Sequence, residues 1–195
     1  MPLRNLTTVW GENLPDKPLP EYPRPQFERK SYVNLNGWWD YAITKQDTLP
    51  SSYDGKILVP FSPESSLSGV NRELKSNEYL FYRTFFTLAK GFTRDIVLLN
   101  FGAVDTICDV FVNGQHLGHH EGGYNAFSVN ITSALYEQDN ELIVKVRDLT
   151  DTSYYTNGKQ SSRRGGMWYT PHPGGAGPPP LSARAPAPRP RTRWP

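Results

Sequence analysis

The sequence predicts an all-β protein, a two-sheet sandwich of jelly-roll type with an extended Pro-rich N-terminal arm and a disordered C-terminal tail. Three observations carry this. Between Val33 and Val146 the chain breaks into short apolar runs rich in Val, Ile, Phe and Tyr, separated by turn residues, with little sustained helical periodicity. Residues 141–147 alternate, with Leu142, Val144 and Val146 on one face and Glu141, Ile143, Lys145 and Arg147 on the other, as a half-buried strand requires. Residues 95–101 instead carry apolar side chains on both faces, Ile96 and Leu98 against Val97, Leu99 and Phe101, so a layer is expected on either side.

The elements follow in chain order. Residues 1–30 place prolines at 2, 15, 18, 20, 23 and 25, a density that opposes regular helix or central strand and predicts an extended arm. The body, residues 31–171, has its clearest strands at 56–59, 79–88, 95–101, 107–112 and 141–147. Asn113-Gly114, between Phe111-Val112 and the run from Gln115 to Gly118, predicts a tight hairpin, because both central residues of a type I′ turn need positive φ. Many short antiparallel strands with Gly-containing connections fit a sandwich better than a closed barrel. Residues 172–195 hold eight Pro, four Ala, four Arg and three Gly, with Leu181 and Trp194 their only large apolar side chains. Such a segment cannot bury enough surface to offset the entropy of ordering.

Composition narrows the function. Lys+Arg 21 against Asp+Glu 19 leaves a net charge of +2, too balanced to argue for a nucleic-acid or membrane partner. From Thr152 onward there is no Asp or Glu while seven basic residues fall there, so the preceding part is net acidic. Cys108 is the single cysteine, which excludes an internal disulfide and favours a reducing compartment; within Ile107-Cys-Asp-Val-Phe-Val112 it reads as a small buried hydrophobe. The N-terminus lacks the apolar core of a secretion signal, and no stretch approaches the ~20 apolar residues of a membrane helix. A cytoplasmic protein is expected.

Collinear segments carry a resemblance. Leu35-Asn-Gly-Trp-Trp-Asp-Tyr41, Ile57-Leu-Val-Pro-Phe-Ser-Pro-Glu-Ser65, Tyr82-Arg-Thr-Phe-Phe86, Leu99-Asn-Phe-Gly-Ala-Val-Asp105, Val110-Phe-Val-Asn-Gly114 and Gly118-His-His-Glu-Gly-Gly-Tyr-Asn-Ala-Phe127 occur in that order. Ile131-Thr, Asn140-Glu-Leu-Ile-Val144, Val146-Arg-Asp-Leu-Thr-Asp-Thr-Ser-Tyr154, Gly158-Lys-Gln160 and Gly165-Gly-Met-Trp-Tyr-Thr-Pro171 follow. Together they resemble the N-terminal jelly-roll, sugar-binding domain of glycoside hydrolase family 2, the β-galactosidase and β-glucuronidase group. The resemblance implies a galactose-binding-like fold and an accessory role beside a retaining (β/α)₈ barrel that supplies two catalytic Glu. It covers about residues 3–171 and then stops, where family members would continue into a closing strand and further domains. The tail has the composition of a GC-rich gene read in a shifted frame, which makes a truncated or frameshifted product the expectation; a genuine Pro-rich linker is the alternative. Without the closing strand, its neighbour in the sheet is expected to lack a partner.

Glycoside hydrolysis normally needs two carboxyl groups flanking the scissile bond. The resemblance places both outside this chain, so no catalytic residue, cofactor or metal is expected here, and the chain is expected to be inactive alone. Asn77-Glu78 and Asn140-Glu141 are similar to the family's acid/base motif but precede strands of the accessory domain. Asp151 is the candidate substrate-binding residue, since Thr-Asp-Thr-Ser-Tyr154 resembles a loop with which this domain reaches the sugar pocket, and a carboxylate there accepts hydrogen bonds from hydroxyls. The competing reading has Asp148 and Asp151 capping a turn. His119 and His120, adjacent on a strand, point to opposite faces and cannot share one ion, while His116 reads as an exposed strand residue. Trp38, Trp39, Tyr124, Phe127, Trp168 and Tyr169 would form either a sugar-stacking platform or core. The expected partners are carbohydrate, only with a catalytic barrel present, and the rest of a family 2 hydrolase. A free-standing carbohydrate-binding module and a subunit complementing a separate catalytic chain stand as alternatives.

Overall fold

The computed structural model describes residues 7–22, 26, 28, 30–92, 95–149 and 152–155, with the backbone of Ser182–Arg184. Ten strands are described: β1 Tyr32–Asn34, β2 Gly37–Thr44, β3 Gly55–Val59, β4 Tyr79–Phe86, β5 Leu98–Phe101, β6 Ile107–Val112, β7 Gln115–Glu121, β8 Phe127–Asn130, β9 Asn140–Arg147 and β10 Ser182–Arg184. They form two antiparallel sheets, a six-stranded one in the order β3-β2-β4-β9-β6-β7 and a four-stranded one in the order β1-β10-β5-β8.

The alternation read in 141–147 is what the sheets use. Leu142, Val144 and Val146 are buried between them with Trp39, Tyr82, Leu99, Phe101, Val110 and Cys108. Each such side chain withdraws enough apolar surface to contribute roughly 1.5–3 kcal/mol. Trp39 is held further by its indole N–H, which donates to the Leu35 carbonyl at 2.8 Å. Ile143, on the opposite face of β9, joins Phe81 and Ala42 in a smaller outer cluster beneath Tyr53 and Tyr79. The polar residues expected on that outer face are therefore interrupted by a second, thin apolar layer.

Several boundaries move for identifiable reasons. The strand expected over 95–101 begins its ladder only at Leu98, because the Val97 N–H donates to Thr132 Oγ1 at 2.9 Å instead. The strand expected over 79–88 ends at Phe86, and the Thr87 hydroxyl turns to accept from Asp139 N. The arm is not extended throughout: Val9–Glu12 forms one helical turn inside the proline-free window after Pro2, started by Thr8, whose hydroxyl accepts from Gly11 N at 3.3 Å. Nor is residues 172–195 without regular structure. Ser182–Arg184 lies between β1 and β5, pairing Ala183 with both Val33 and Leu99. Residues 181–185 are the longest proline-free run among residues 178–190, and hence a stretch of that segment able to donate to a ladder from successive amides. Residues 1–6, 23–25, 27 and 29 of the arm and the remainder of the tail lie outside the described residues.

The β6–β7 hairpin turns through Asn113 at φ 50° and Gly114 at φ 77°, the pair of positive values that Asn-Gly predicts. Its ladder carries a bulge: Val110 pairs with Gly118 but Phe111 with His116. That extra residue resets the side-chain parity of β7.

Candidate functional site

One end of the sandwich gathers buried and partly buried acids of the described residues, Glu64, Glu78, Asp105 and Asp148. There β4 and β6 begin, β7 and β9 end, and the connections 102–106, 122–126 and 148–155 meet. Backbone bonds tie them: Thr106 N donates to Arg147 O at 3.3 Å and Gly122 N to Thr106 O at 2.8 Å. Arg147 Nε reaches Ser76 O at 3.4 Å, which fastens the approach to β4.

The Thr106 hydroxyl stands between two carboxylates, bonded to Asp105 and 3.4 Å from Asp148 Oδ1. Gly123 completes this wall, because a Cβ there would collide with the Asp105 carboxylate. Burial raises the pKa of Asp105, and the neighbouring Asp148 raises it further. Glu64, from the segment between β3 and β4, is pushed up to about 7, chiefly by burial. Its Oε1 accepts from Leu74 N at 3.2 Å, whereas its Oε2 and the Tyr82 hydroxyl are buried with no partner among the described residues. Chemically, this end holds carboxyl and hydroxyl oxygens that accept or donate hydrogen bonds, and Glu64, pushed up to about 7, can carry a proton near neutral pH.

Asp151, the predicted binding residue, lies outside the described residues. Its flanks are at this end of the sandwich, joined by Thr152 N, which donates to Leu149 O at 2.8 Å. Asp148 is buried and reaches across to Thr106 on another connection. Both Asn-Glu pairs serve structure. Glu78 is buried, bound to Arg72 at 2.7 Å, and Asn140 clamps Tyr136 through Oδ1 at 2.7 Å.

The aromatic candidates are not brought together. Trp39 is core; Trp38 is half-exposed at the opposite end, donating to Asp16 Oδ1 at 2.9 Å; Phe127 stacks between Phe101 and His120. Tyr124 alone of the described four is exposed at the acidic end. Trp168 and Tyr169 lie outside the described residues.

His119 and His120 do face opposite ways. His120 stacks on the Phe127 ring with centroids 4.0 Å apart, while His119 lies on the outer face of the larger sheet, Nδ1 2.8 Å from Asp109 Oδ1. Sequence reading missed that His116 shares this face: three residues apart on a regular strand the two would oppose each other, and the bulge cancels that parity. His116 Nε2 is 3.0 Å from the same Asp109 oxygen, and Lys145 Nζ is 2.7 Å from Asp109 Oδ2 and 2.7 Å from Asp47. Burial alone would raise Asp109, but the bonds from Lys145, His119 and His116 outweigh it and bring its pKa down to about 2. The single signal available in the sequence was the spacing of Asn113-Gly114 ahead of His116, which fixes the hairpin but not the bulge.

Comparison with known proteins places this architecture. Residues 55–173 match the family described as glycosyl hydrolase 2 galactose-binding domain-like. A β-galactosidase of Kluyveromyces lactis is 30% identical over 159 residues, covering 77% of this chain and 14% of that enzyme. A β-glucuronidase of Felis catus is 29% identical over 129 residues, covering 57% of this chain and 19% of the relative. Among solved structures, a Ruminococcus gnavus β-glucuronidase superposes with a TM-score of 0.54 at 21% identity, covering 66% of this chain and 22% of that one. The chain thus spans less than a fifth of the curated relatives just named.

Proposed function

The chain belongs to the glycosyl hydrolase 2 galactose-binding domain-like family, and from that premise we propose that it is the accessory domain of a β-glycosidase of the β-galactosidase and β-glucuronidase group, bordering the substrate pocket and bracing a catalytic barrel. The observation that carries this reading is the convergence of Asp105, Thr106, Asp148 and the flanks of Asp151 at one end of the sandwich. Carboxylates on connections held by a rigid sandwich are suited to orient sugar hydroxyls across a domain boundary. In this reading Asp151 contacts the substrate, Asp148 and Thr106 fix the connection that presents it, and the two catalytic Glu come from the barrel. The chain alone is inactive. Its partners are carbohydrate, with the barrel present, and the remainder of a family 2 hydrolase, with no nucleic-acid or membrane partner. The lone, buried Cys108 supports a cytoplasmic setting, and no helix among the described residues is long and apolar enough to cross a membrane.

The test is reconstitution. A related enzyme lacking its own sugar-binding domain is mixed with or fused to this chain, and hydrolysis of nitrophenyl β-galactoside and β-glucuronide is followed. The expected result is no turnover by the chain alone, turnover on reconstitution, and at least a tenfold drop with Asp151→Asn. Reconstituted activity indifferent to Asp151 would remove it from the pocket. Oligosaccharide binding by the chain alone in calorimetry would favour the free-standing module instead.

A further inference from the structure

We propose that His119 is a proton-operated positioning residue that, through Glu121 and Tyr155, fastens the segment Thr152–Tyr155 to the edge of the larger sheet. This rests on the reading of the acidic end as a pocket border only for its functional meaning; the fastening itself follows from geometry.

The imidazole of His119 lies between two acceptors. Nδ1 is 2.8 Å from Asp109 Oδ1 and Nε2 is 3.2 Å from Glu121 Oε1. Ionised carboxylates only accept hydrogen bonds, so both contacts exist together only when both ring nitrogens carry hydrogen, that is, in the imidazolium. The other oxygen of Glu121 accepts from the Tyr155 hydroxyl. One carboxylate therefore joins β7 to the segment that follows Asp151 in the chain. The charged and titratable groups around His119 all favour its proton or are already matched: Asp109 on β6, Glu121 and His116 on β7, Lys145 on β9 bound to Asp109 and Asp47, and Tyr155 beyond β9. Hydrogen bonds to Asp109 and then Glu121 raise the imidazole above its ordinary value.

Loss of the proton has a defined direction. Neutral His119 keeps one N–H, and the shorter contact, to the less exposed carboxylate, is the one to Asp109. The retained hydrogen stays on Nδ1, and Nε2 then turns a lone pair toward Glu121. Glu121 swings from the ring and draws the Tyr155 hydroxyl with it. The segment next to Asp151 is held at acidic to neutral pH and loosened above the His119 titration.

NMR on the whole chain tests this without any glycosidase. The ring signals of Tyr155 should titrate with the His119 Cε1–H signal, at a midpoint above the ordinary imidazole value. Across that midpoint the hydrogen-exchange protection of the Thr152 and Tyr155 amides, corrected for intrinsic rates, should fall by roughly two- to fivefold, the size expected of an exposed ion pair. In His119→Gln and in Tyr155→Phe the shared titration should vanish while the hairpin amides of β6 and β7 keep their protection. Tyr155 signals that ignore the His119 titration in the unaltered chain, or that keep it in His119→Gln, would overturn the proposal. Neither result depends on reconstituted activity, so the latch and the pocket reading fail separately.

Discussion

Asn113 Nδ2 donates to Asn140 Oδ1 at 2.9 Å, tying the tip of one hairpin to the first residue of the strand beside it. The same amide also donates to Ala134 O at 2.7 Å, and Asn113 Oδ1 accepts from Glu141 N at 2.8 Å. Asn140 is fully buried and bonded to both the N–H and the carbonyl of Tyr136. Asn113→Gly keeps the positive φ at no strain but deletes three side-chain bonds, each worth about 1 kcal/mol. The expected loss is about 2–3 kcal/mol in urea unfolding with an unchanged slope. A loss below about 0.5 kcal/mol would show that water replaces the clamp freely.

Gly118 sits where β7 crosses Val129 of β8. A Cβ added there would stand 2.7 Å from Val129 Cγ2. Gly118→Ala should therefore lower stability by about 1–3 kcal/mol, the usual cost of overfilling a packed core. Combining it with Val129→Ala should recover part of that loss, so the double-mutant cycle should give a coupling well above 0.5 kcal/mol. Additive losses would place the strain elsewhere.

Glu64 sets a pH dependence. Its carboxyl titrates at about 7 in the folded chain against an ordinary 4.5, because burial disfavours the charge. A folded-state value above the unfolded one means that the native chain holds the proton more tightly. The associated stability is fully present below pH 4.5 and is lost as pH rises through 7. Glu64→Gln keeps an acceptor for Leu74 N and has no proton to lose. The variant should match the unaltered chain near pH 4.5 and exceed it by on the order of 2–3 kcal/mol at pH 8. Parallel pH profiles for the two chains would contradict the assignment. Using the difference between chains matters, since the raised Asp105 and His119 lose stability in the same direction.

Cys108 lies near the start of β6, fully buried, with its thiol pushed up to about 12, first by burial and then by the Asp109 charge. Disulfide reagents should modify it only as fast as the sandwich opens, and denaturant should accelerate labelling in step with unfolding. Rapid labelling under native conditions would mean that β6 separates locally from β7 or β9.

Much of the sandwich was legible because β9 and β6 state their burial in side-chain parity. Leu142, Val144 and Val146 face the core in the order their spacing gives, and Asn113-Gly114 forms the turn its φ requirements demand. The chemistry was less legible wherever it depends on non-local backbone. The grouping of His116, His119 and Asp109 needs the bulge, which depends on the pairing of two strands and not on either sequence alone. Glu64 looks like a surface residue in Ser-Pro-Glu-Ser, and its carboxyl is withdrawn from water only because the segment between β3 and β4 brings it near Tyr82 and Asp148. The helical turn at Val9–Glu12 fits in residues 3–14, a proline-free gap that the overall proline density of the arm conceals. Asp151 was reached through family resemblance, since nothing in an isolated Thr-Asp-Thr distinguishes a ligand from a turn cap.

The bulge between Val110 and Phe111 has a further consequence, because β7 is an outer strand of its sheet. A flat outer strand offers its free amides and carbonyls to any second copy of the chain, and growth by strand addition follows. Here the irregular spacing denies a second copy a continuous register, and the same irregularity sets two imidazoles side by side on one face of the strand. One inserted residue thus makes the rim of the sandwich a poor template for self-association.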